Sequence, residues 1–387
     1  MKLSQRAINI KPSATLAISD KAKEIKAQGK PILSFSAGEP DFNTPKAAGD
    51  AAAKAIERGE THYTPNSGIA ELKKNVALYY KERFGLEYQP RDVVVTCGVK
   101  AMLYETIQAL VDPGDEVLLF APAWVSYVEQ VSLAGGKAVS VETAATGFSP
   151  TAGEIAKKIT GSTRGMIINT PNNPTGAVYS EETLRMLADV AIKHDLWVIF
   201  DEVYERLVYG NAKHVNILQA APEIKDRTII ANGVSKAYCM TGWRIGYALG
   251  PGDVIKKIDD IQSHLTSNAS SIAQWAAAAA IQESEDEVLK NRAEFETRRD
   301  IICGLLSGIK GIKAGLPDGA FYVLLDIRNT PLPDDMEFCR RLLEEKYVAL
   351  VPGAAFFAPG YVRISYACSE ADIREGVSRI KEFIEAL

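Results

Sequence analysis

No Cys-x-x-Cys pair occurs among the five cysteines of this 387-residue chain: Cys97, Cys239, Cys303, Cys339 and Cys368. Zinc ribbons and thioredoxin-like redox motifs are thereby excluded, and the odd, scattered set reads as small core residues in a reducing compartment. Histidine is equally scarce. His62, His194, His214 and His264 never fall at the i, i+4 spacing of a metal-binding helix. A G-x-G-x-x-G fingerprint and a Walker loop are both missing. Apolar runs stay far short of the ~18 residues that span a bilayer; the softest, Ala276–Ile281, is bracketed by Gln274 and Gln282. The opening residues, Met1 to Arg6, lack the apolar core of a signal peptide. A net charge of −5 supplies no electrostatic reason to expect nucleic acid or anionic membrane. What is present is ordinary: 47% apolar and 24% charged residues, in a chain long enough to bury a large core without staples. The expectation is a cytoplasmic enzyme that holds no metal.

Between residues 70 and 250 short apolar runs alternate with helix-like periodicity. Seven strands are expected, at Val93–Val95, Val117–Phe120, Lys137–Val141, Gly165–Ile168, Leu196–Phe200, Thr228–Ala231 and Ile245–Leu249. Helices are expected over Ile69–Phe84 and from near Ala101, and Ser180 reads as an N-cap with Glu181 and Glu182 in the first turn. Fully apolar strands separated by helices indicate an α/β fold, a mostly parallel seven-stranded sheet covered by helices on both faces. From Ile261 to about Leu306 the pattern predicts one or two long helices, and Ala320–Ile327 and Tyr347–Tyr366 alternate strand and helix again. The expected organisation is a large domain over 46–288 and a smaller α+β domain over 289–387. Residues 1–45, with a helix-like Ala17–Ala27, are expected to pack on the small domain.

Ligands of such sheets sit beyond the carboxyl ends of the strands, and candidate residues cluster at these points. Lys236, in Ser235–Lys236–Ala237–Tyr238, follows a strand among apolar neighbours, where desolvation lowers an amine's pKa and suits it to Schiff-base chemistry. Asp201 immediately follows the buried strand Leu196–Phe200, with Tyr204 three residues on. The turn Thr96–Cys97–Gly98–Val99–Lys100 opens a helix whose N–H groups can hold a phosphate, and Arg244 is a second candidate for that anion. Pro171–Asn172–Asn173–Pro174–Thr175–Gly176 makes a rigid loop, Trp124 can stack on a flat ring, and Arg363 on an apolar strand wants an anion. Each has a structural alternative when taken singly: a snorkelling Lys236, a capping Asp201, a core Trp124, an ion pair for Arg363.

Taken together these motifs, with Ala37–Gly38–Glu39–Pro40–Asp41–Phe42, Tyr63–Thr64–Pro65, Asp201–Glu202–Val203–Tyr204 and Thr241–Gly242–Trp243–Arg244, resemble the class I aminotransferases of fold type I. The likeness covers essentially the whole chain and is strongest to the bacterial aspartate aminotransferase branch. It implies pyridoxal 5'-phosphate as cofactor and a homodimer with shared active sites. Lys236 would bond to the cofactor and shuttle the proton. Asp201 would pair with the ring nitrogen, Tyr204 and Asn173 would contact the ring hydroxyl, and Trp124 would stack on the ring. Gly98, Val99, Lys100, Ser235 and Arg244 would surround the phosphate, with Tyr63 arriving from the other subunit. Gly38, Trp124, Asn173 and Arg363 would bind the amino acid, Arg363 gripping its α-carboxylate.

Two departures bear on substrate choice. Gly233 stands three residues before the lysine, where some relatives carry a hydroxyl residue, and Gln262–Ser263–His264–Leu265 holds no arginine where another subgroup has one for the distal carboxylate. Lys11, Ser13, Thr15 and Lys100 are the alternative contacts, as in the subgroup whose members use aspartate and sometimes prephenate. The implied reaction moves the amino group of L-aspartate to 2-oxoglutarate in two half-reactions; the alternatives are an aromatic or prephenate aminotransferase, a lyase on the same fold, or a non-enzymatic ligand sensor.

Overall fold

The computed structural model describes residues 1–10 and 14–387, and side chains except at residues 14–17 and 19. The seven expected strands are all present, some a residue or two longer: β1 (Val93–Thr96), β2 (Glu116–Ala121), β3 (Lys137–Glu142), β4 (Thr163–Asn169), β5 (Trp197–Asp201), β6 (Thr228–Gly233) and β7 (Gly246–Leu249). They form one sheet in the order β1-β7-β6-β5-β4-β2-β3. Only β7 is reversed, pairing antiparallel with both β1 and β6. The apolar alternation explains why the sheet is covered on both sides. Val95, Leu118, Phe120, Ile168, Phe200 and Ile230 enter one buried cluster, while Val94, Leu119, Ile167, Ile199 and Ile229 enter the other. Each such side chain contributes about 1.5–3 kcal/mol on burial.

Because β1, β2, β4, β5 and β6 point the same way, their carboxyl ends share one edge. Gly98, Trp124, Asn173, Asp201 and Lys236 all lie at or just after those ends. The reversed β7 starts from the same edge, so Arg244, two residues before it, joins them.

Helix boundaries depart from expectation in instructive places. The helix expected near Ala101 starts at Val99, because Gly98 adopts φ 86° and serves as its N-cap. The stretch expected as one or two helices begins earlier and is three: Gly252–Leu265, Ser271–Glu283 and Glu285–Ser307. Ser267 at φ 56° breaks the chain, and the Ser270 hydroxyl accepts from the Ala273 N–H to start the next helix. Ser180 caps as expected, accepting from the Thr183 N–H at 3.2 Å. Ser180→Ala should therefore cost about 1 kcal/mol and lower the melting midpoint by about 1–3 °C. An unchanged melting curve would show the cap to be dispensable.

The C-terminal part builds a second, antiparallel sheet in which Tyr361–Ser365 lies between Val351–Pro352 and Tyr322–Asp326, with Lys313–Ala314 at the far edge. The N-terminal segment is stitched onto it. Leu33–Ser34 pairs in parallel with Val348–Ala349, and the Ser365 N–H donates to the Phe35 carbonyl at 2.9 Å. This stitching carries Ser36, Gly38 and Glu39 to the strand edge where Lys236 lies. Among the described residues no helix is long and apolar enough to cross a membrane.

Candidate active site

Lys236 sits three residues past β6, half-buried, and its amine donates to the Gly38 carbonyl. The amine lies 5.9 Å from the ring centres of both Tyr204 and Phe321. Desolvation brings it down to about 8; Glu39 and Asp201 hold it up while Arg363 and Arg244 push it further down. An amine so placed is partly neutral near physiological pH, as a nucleophile or base requires.

Asp201, the last residue of β5, is 2% exposed. Its carboxylate accepts from the Tyr127 hydroxyl at 2.7 Å and from the Val203 N–H at 3.2 Å. Burial lifts the carboxyl to about 6 despite those two bonds. No ion pair reaches it among the described residues. A buried carboxylate in that condition is a site for a cation or an N–H donor.

Arg363 presents the opposite case. It is 2% exposed, and its guanidinium donates to Asn173 Oδ1 and to the Ser36 carbonyl, each at 2.9 Å. Its Nε is buried without a partner, and no carboxylate pairs with it among the described residues. Burial lowers its pKa, a direction that an incoming anion would reverse. The Asn173 loop is held in turn: Asn169 Oδ1 accepts from the Asn173 N–H at 2.9 Å, and the Thr175 hydroxyl donates to Asn172 Oδ1 at 2.8 Å.

A third subsite lies at the start of helix Val99–Leu110. A Cβ added to Gly98 would stand 2.5 Å from Arg244 Nη2, so the guanidinium closes against the helix N-terminus through space that only glycine leaves. Arg244 itself takes φ 57° and donates to the Thr241 carbonyl at 2.8 Å. The Lys100 amine is pushed down by burial and by the Arg244 charge, and lies 4.9 Å from the Trp124 ring centre. Two cations and a helix N-terminus suit a dianion. A 760 Å³ cleft opens beside them, lined by Thr44, Cys97, Trp243, Arg244 and Ser270 among others.

These three subsites fit pyridoxal phosphate. The Gly98–Arg244 cradle matches its phosphate, the carboxylate of Asp201 its basic ring nitrogen, and Lys236 senses both charges. Ser235 is buried in the turn before the lysine, and Trp124 heads helix Val125–Leu133 edge-on to Tyr127. Tyr63 is not drawn in; it is 91% exposed. Lys11, Ser13 and the Thr15 side chain lie outside the described residues. Gln262 turns inward, donating to the Asn66 and Val95 carbonyls.

Three residues here escape a reading of the sequence. Tyr127 holds Asp201, and its position one helical turn after Trp124 is a signal that could have found it. Glu39 accepts from the Thr241 hydroxyl at 2.8 Å and lies in the field of Lys236. Tyr322 bonds Tyr204 and underlies Arg363; only the strand pairing, Leu324 opposite Arg363, reveals it.

The model of the family described as aminotransferase class I and II matches residues 30–380. The chain is 47% identical over 391 residues to the aspartate aminotransferase of Geobacillus stearothermophilus, covering 100% of both. It is 43% identical over 396 residues to the aspartate/prephenate aminotransferase of Cereibacter sphaeroides, covering 100% of this chain and 99% of that one. Among solved structures, the aspartate aminotransferase of Thermus thermophilus with maleate superposes with a TM-score of 0.95 at 42% identity, over 100% of both chains. With that family model matched over residues 30–380 and relatives 43–47% identical along the whole chain, the chain belongs to the class I and II aminotransferase family.

Proposed function

We propose that this enzyme transfers the amino group of L-aspartate to 2-oxoglutarate, giving oxaloacetate and L-glutamate, with pyridoxal 5'-phosphate as cofactor. The observation that carries the reading is Arg363: a buried guanidinium bonded to Asn173, with no carboxylate beside it among the described residues. It is built to receive an α-carboxylate.

In this reading Lys236 is the covalent attachment point. Asp201 holds the ring nitrogen, Tyr204 and Asn173 the ring hydroxyl, and Trp124 the ring face. Gly98, Val99, Lys100, Ser235 and Arg244 hold the phosphate, joined by Tyr63 of a second copy. The bound cofactor supplies an electron sink for the pair left on the substrate's Cα. The protein does the rest. Arg363, Asn173, Trp124 and Gly38 would orient the amino acid, and the Lys236 amine, once displaced, would carry the proton from Cα to the cofactor's C4′ carbon, across the intervening nitrogen. Lys11 and Thr15 are proposed for the distal carboxylate. A cytoplasmic homodimer is inferred, and the exposure of Tyr63 supports a partner at that face. The division at 46–288 and 289–387 is retained in this reading, with its boundary in the first turn of helix Glu285–Ser307.

The test is a panel of aspartate, glutamate, phenylalanine and prephenate. Preferred turnover of aspartate supports the reading; rapid turnover of the aromatic members without aspartate would replace it by the aromatic or prephenate alternative, which the name of the Cereibacter sphaeroides relative favours in part. Arg363→Lys keeps the charge but loses the fork geometry. It should raise KM for aspartate about 10–100-fold with a smaller fall in kcat. An unchanged KM would remove Arg363 from the carboxylate site.

A further inference from the structure

Tyr204 and Tyr322 face each other inside the protein, their hydroxyl oxygens 2.9 Å apart and their ring centres 5.9 Å apart. Tyr322 has no exposed surface, and Tyr204 is its hydroxyl's single hydrogen-bond partner among the described residues. The Arg363 guanidinium lies 4.4 Å from the Tyr322 ring centre. One side chain therefore touches both the phenol proposed for the cofactor and the guanidinium proposed for the substrate.

A phenol has one proton to donate. Tyr204 can give its proton either to Tyr322 or to the cofactor's ring hydroxyl, not to both. If it serves the cofactor, the proton between the two phenols must come from Tyr322. Donation in that direction also polarises Tyr204 and strengthens its own bond to the ring oxygen.

We propose that Tyr322 is a positioning residue: its hydroxyl donates to Tyr204 and so directs the Tyr204 proton to the cofactor's ring oxygen, while its ring forms the platform beneath Arg363. The inference rests on the cofactor placement proposed above. It assigns the two halves of one side chain to the two half-sites, the hydroxyl to the cofactor and the ring to the carboxylate grip.

The halves separate experimentally. A donor on the ring oxygen draws off negative charge that would otherwise hold a proton on the adjacent nitrogen of the lysine–cofactor link. Tyr322→Phe removes that support but keeps the platform. In the holoenzyme it should move the pH midpoint of the link's visible absorbance upward by about 0.5 unit, with KM for aspartate within about twofold. Tyr204→Phe should shift the midpoint at least as far. In the Tyr204→Phe background, Tyr322→Phe should add nothing, a non-additivity that general damage to the fold would not produce. Tyr322→Leu should raise KM about tenfold besides. A Tyr322→Phe titration that superposes on the wild type overturns the proposal, as does an equal shift in the Tyr204→Phe background. Wild-type protein that acquires no such absorbance with pyridoxal phosphate would instead overturn the functional reading on which it rests.

Discussion

Lys236→Ala should fold normally and lose transamination by at least about 10⁴-fold, the upper range for removing a positioned general base, with loss of covalent attachment in addition. The fold should survive because, among the described residues, the amine makes one hydrogen bond, to Gly38, and is held below its ordinary pKa by burial. Deleting it relieves a desolvated charge. Two measurements belong together: steady-state turnover, and the visible absorbance that appears when lysine and cofactor join. A variant that kept both would sink the assignment of Lys236. The wild type adds a pH signature. Attack on the free cofactor needs the neutral amine, and the amine titrates at about 8. Loading of apoprotein should therefore accelerate as pH rises from 6 and level off above about 8. Rates independent of pH across that window would mean that the amine is already neutral for another reason.

The parts of this site that were legible in advance share one property: they hang on strand exits. A short apolar run is visible as such, and whatever follows it must emerge at the sheet's edge. Asp201, Lys236, Asn173, Trp124 and Gly98 could be found on that logic, and several agreeing motifs raised each above its structural alternative. The reversed direction of β7 was not legible, since its apolar residues would be equally buried in either direction. Nor were the breaks that make three helices from residues 252–307, where Ser267 takes a left-handed angle and Ser270 caps the next helix, neither of which composition announces. Tyr322 lay deepest. Its role depends on the register that sets Leu324 opposite Arg363 and on an approach to Tyr204 from 118 residues away. Glu39 needed the N-terminal segment to be stitched against Ser365 first. Local pattern located the residues proposed for the cofactor, and tertiary pairing was needed for those that support them.

Asp201→Asn is the sharper test of the cofactor's placement, because stability and activity should move in opposite directions. Asparagine nearly matches aspartate in shape, and its amide oxygen can still accept from the Tyr127 hydroxyl. What disappears is the charge, together with the 3.2 Å bond from the Val203 N–H, which an amide nitrogen cannot accept. In the protein without cofactor that charge is a liability: burial lifts the carboxyl to about 6, against an ordinary value of about 3.9. The sign follows from linkage. The folded state binds this proton more tightly than the unfolded chain does, so stability is lost as pH rises from about 4 through 6 and stays lost above. A shift of about two units corresponds to about 3 kcal/mol. Asp201→Asn apoprotein should therefore melt higher than the wild type at pH 7.5 and nearly level with it at pH 4. With cofactor the order reverses. In the proposed placement a protonated ring nitrogen keeps the carboxylate ionised, and a neutral amide could not hold that proton in place, so kcat/KM should fall about 10³-fold or more, on the scale of losing a main electrostatic stabiliser. Wild-type affinity for the cofactor should also weaken below pH 6 as Asp201 takes up its proton, while the variant's affinity should lack that inflection. Melting of apoprotein at the two pH values, with kcat/KM for aspartate, decides the matter. A variant within tenfold of wild-type activity would show that the buried carboxylate serves the fold rather than the ring nitrogen, and a variant no more stable at pH 7.5 would show that its charge is compensated by the protein itself.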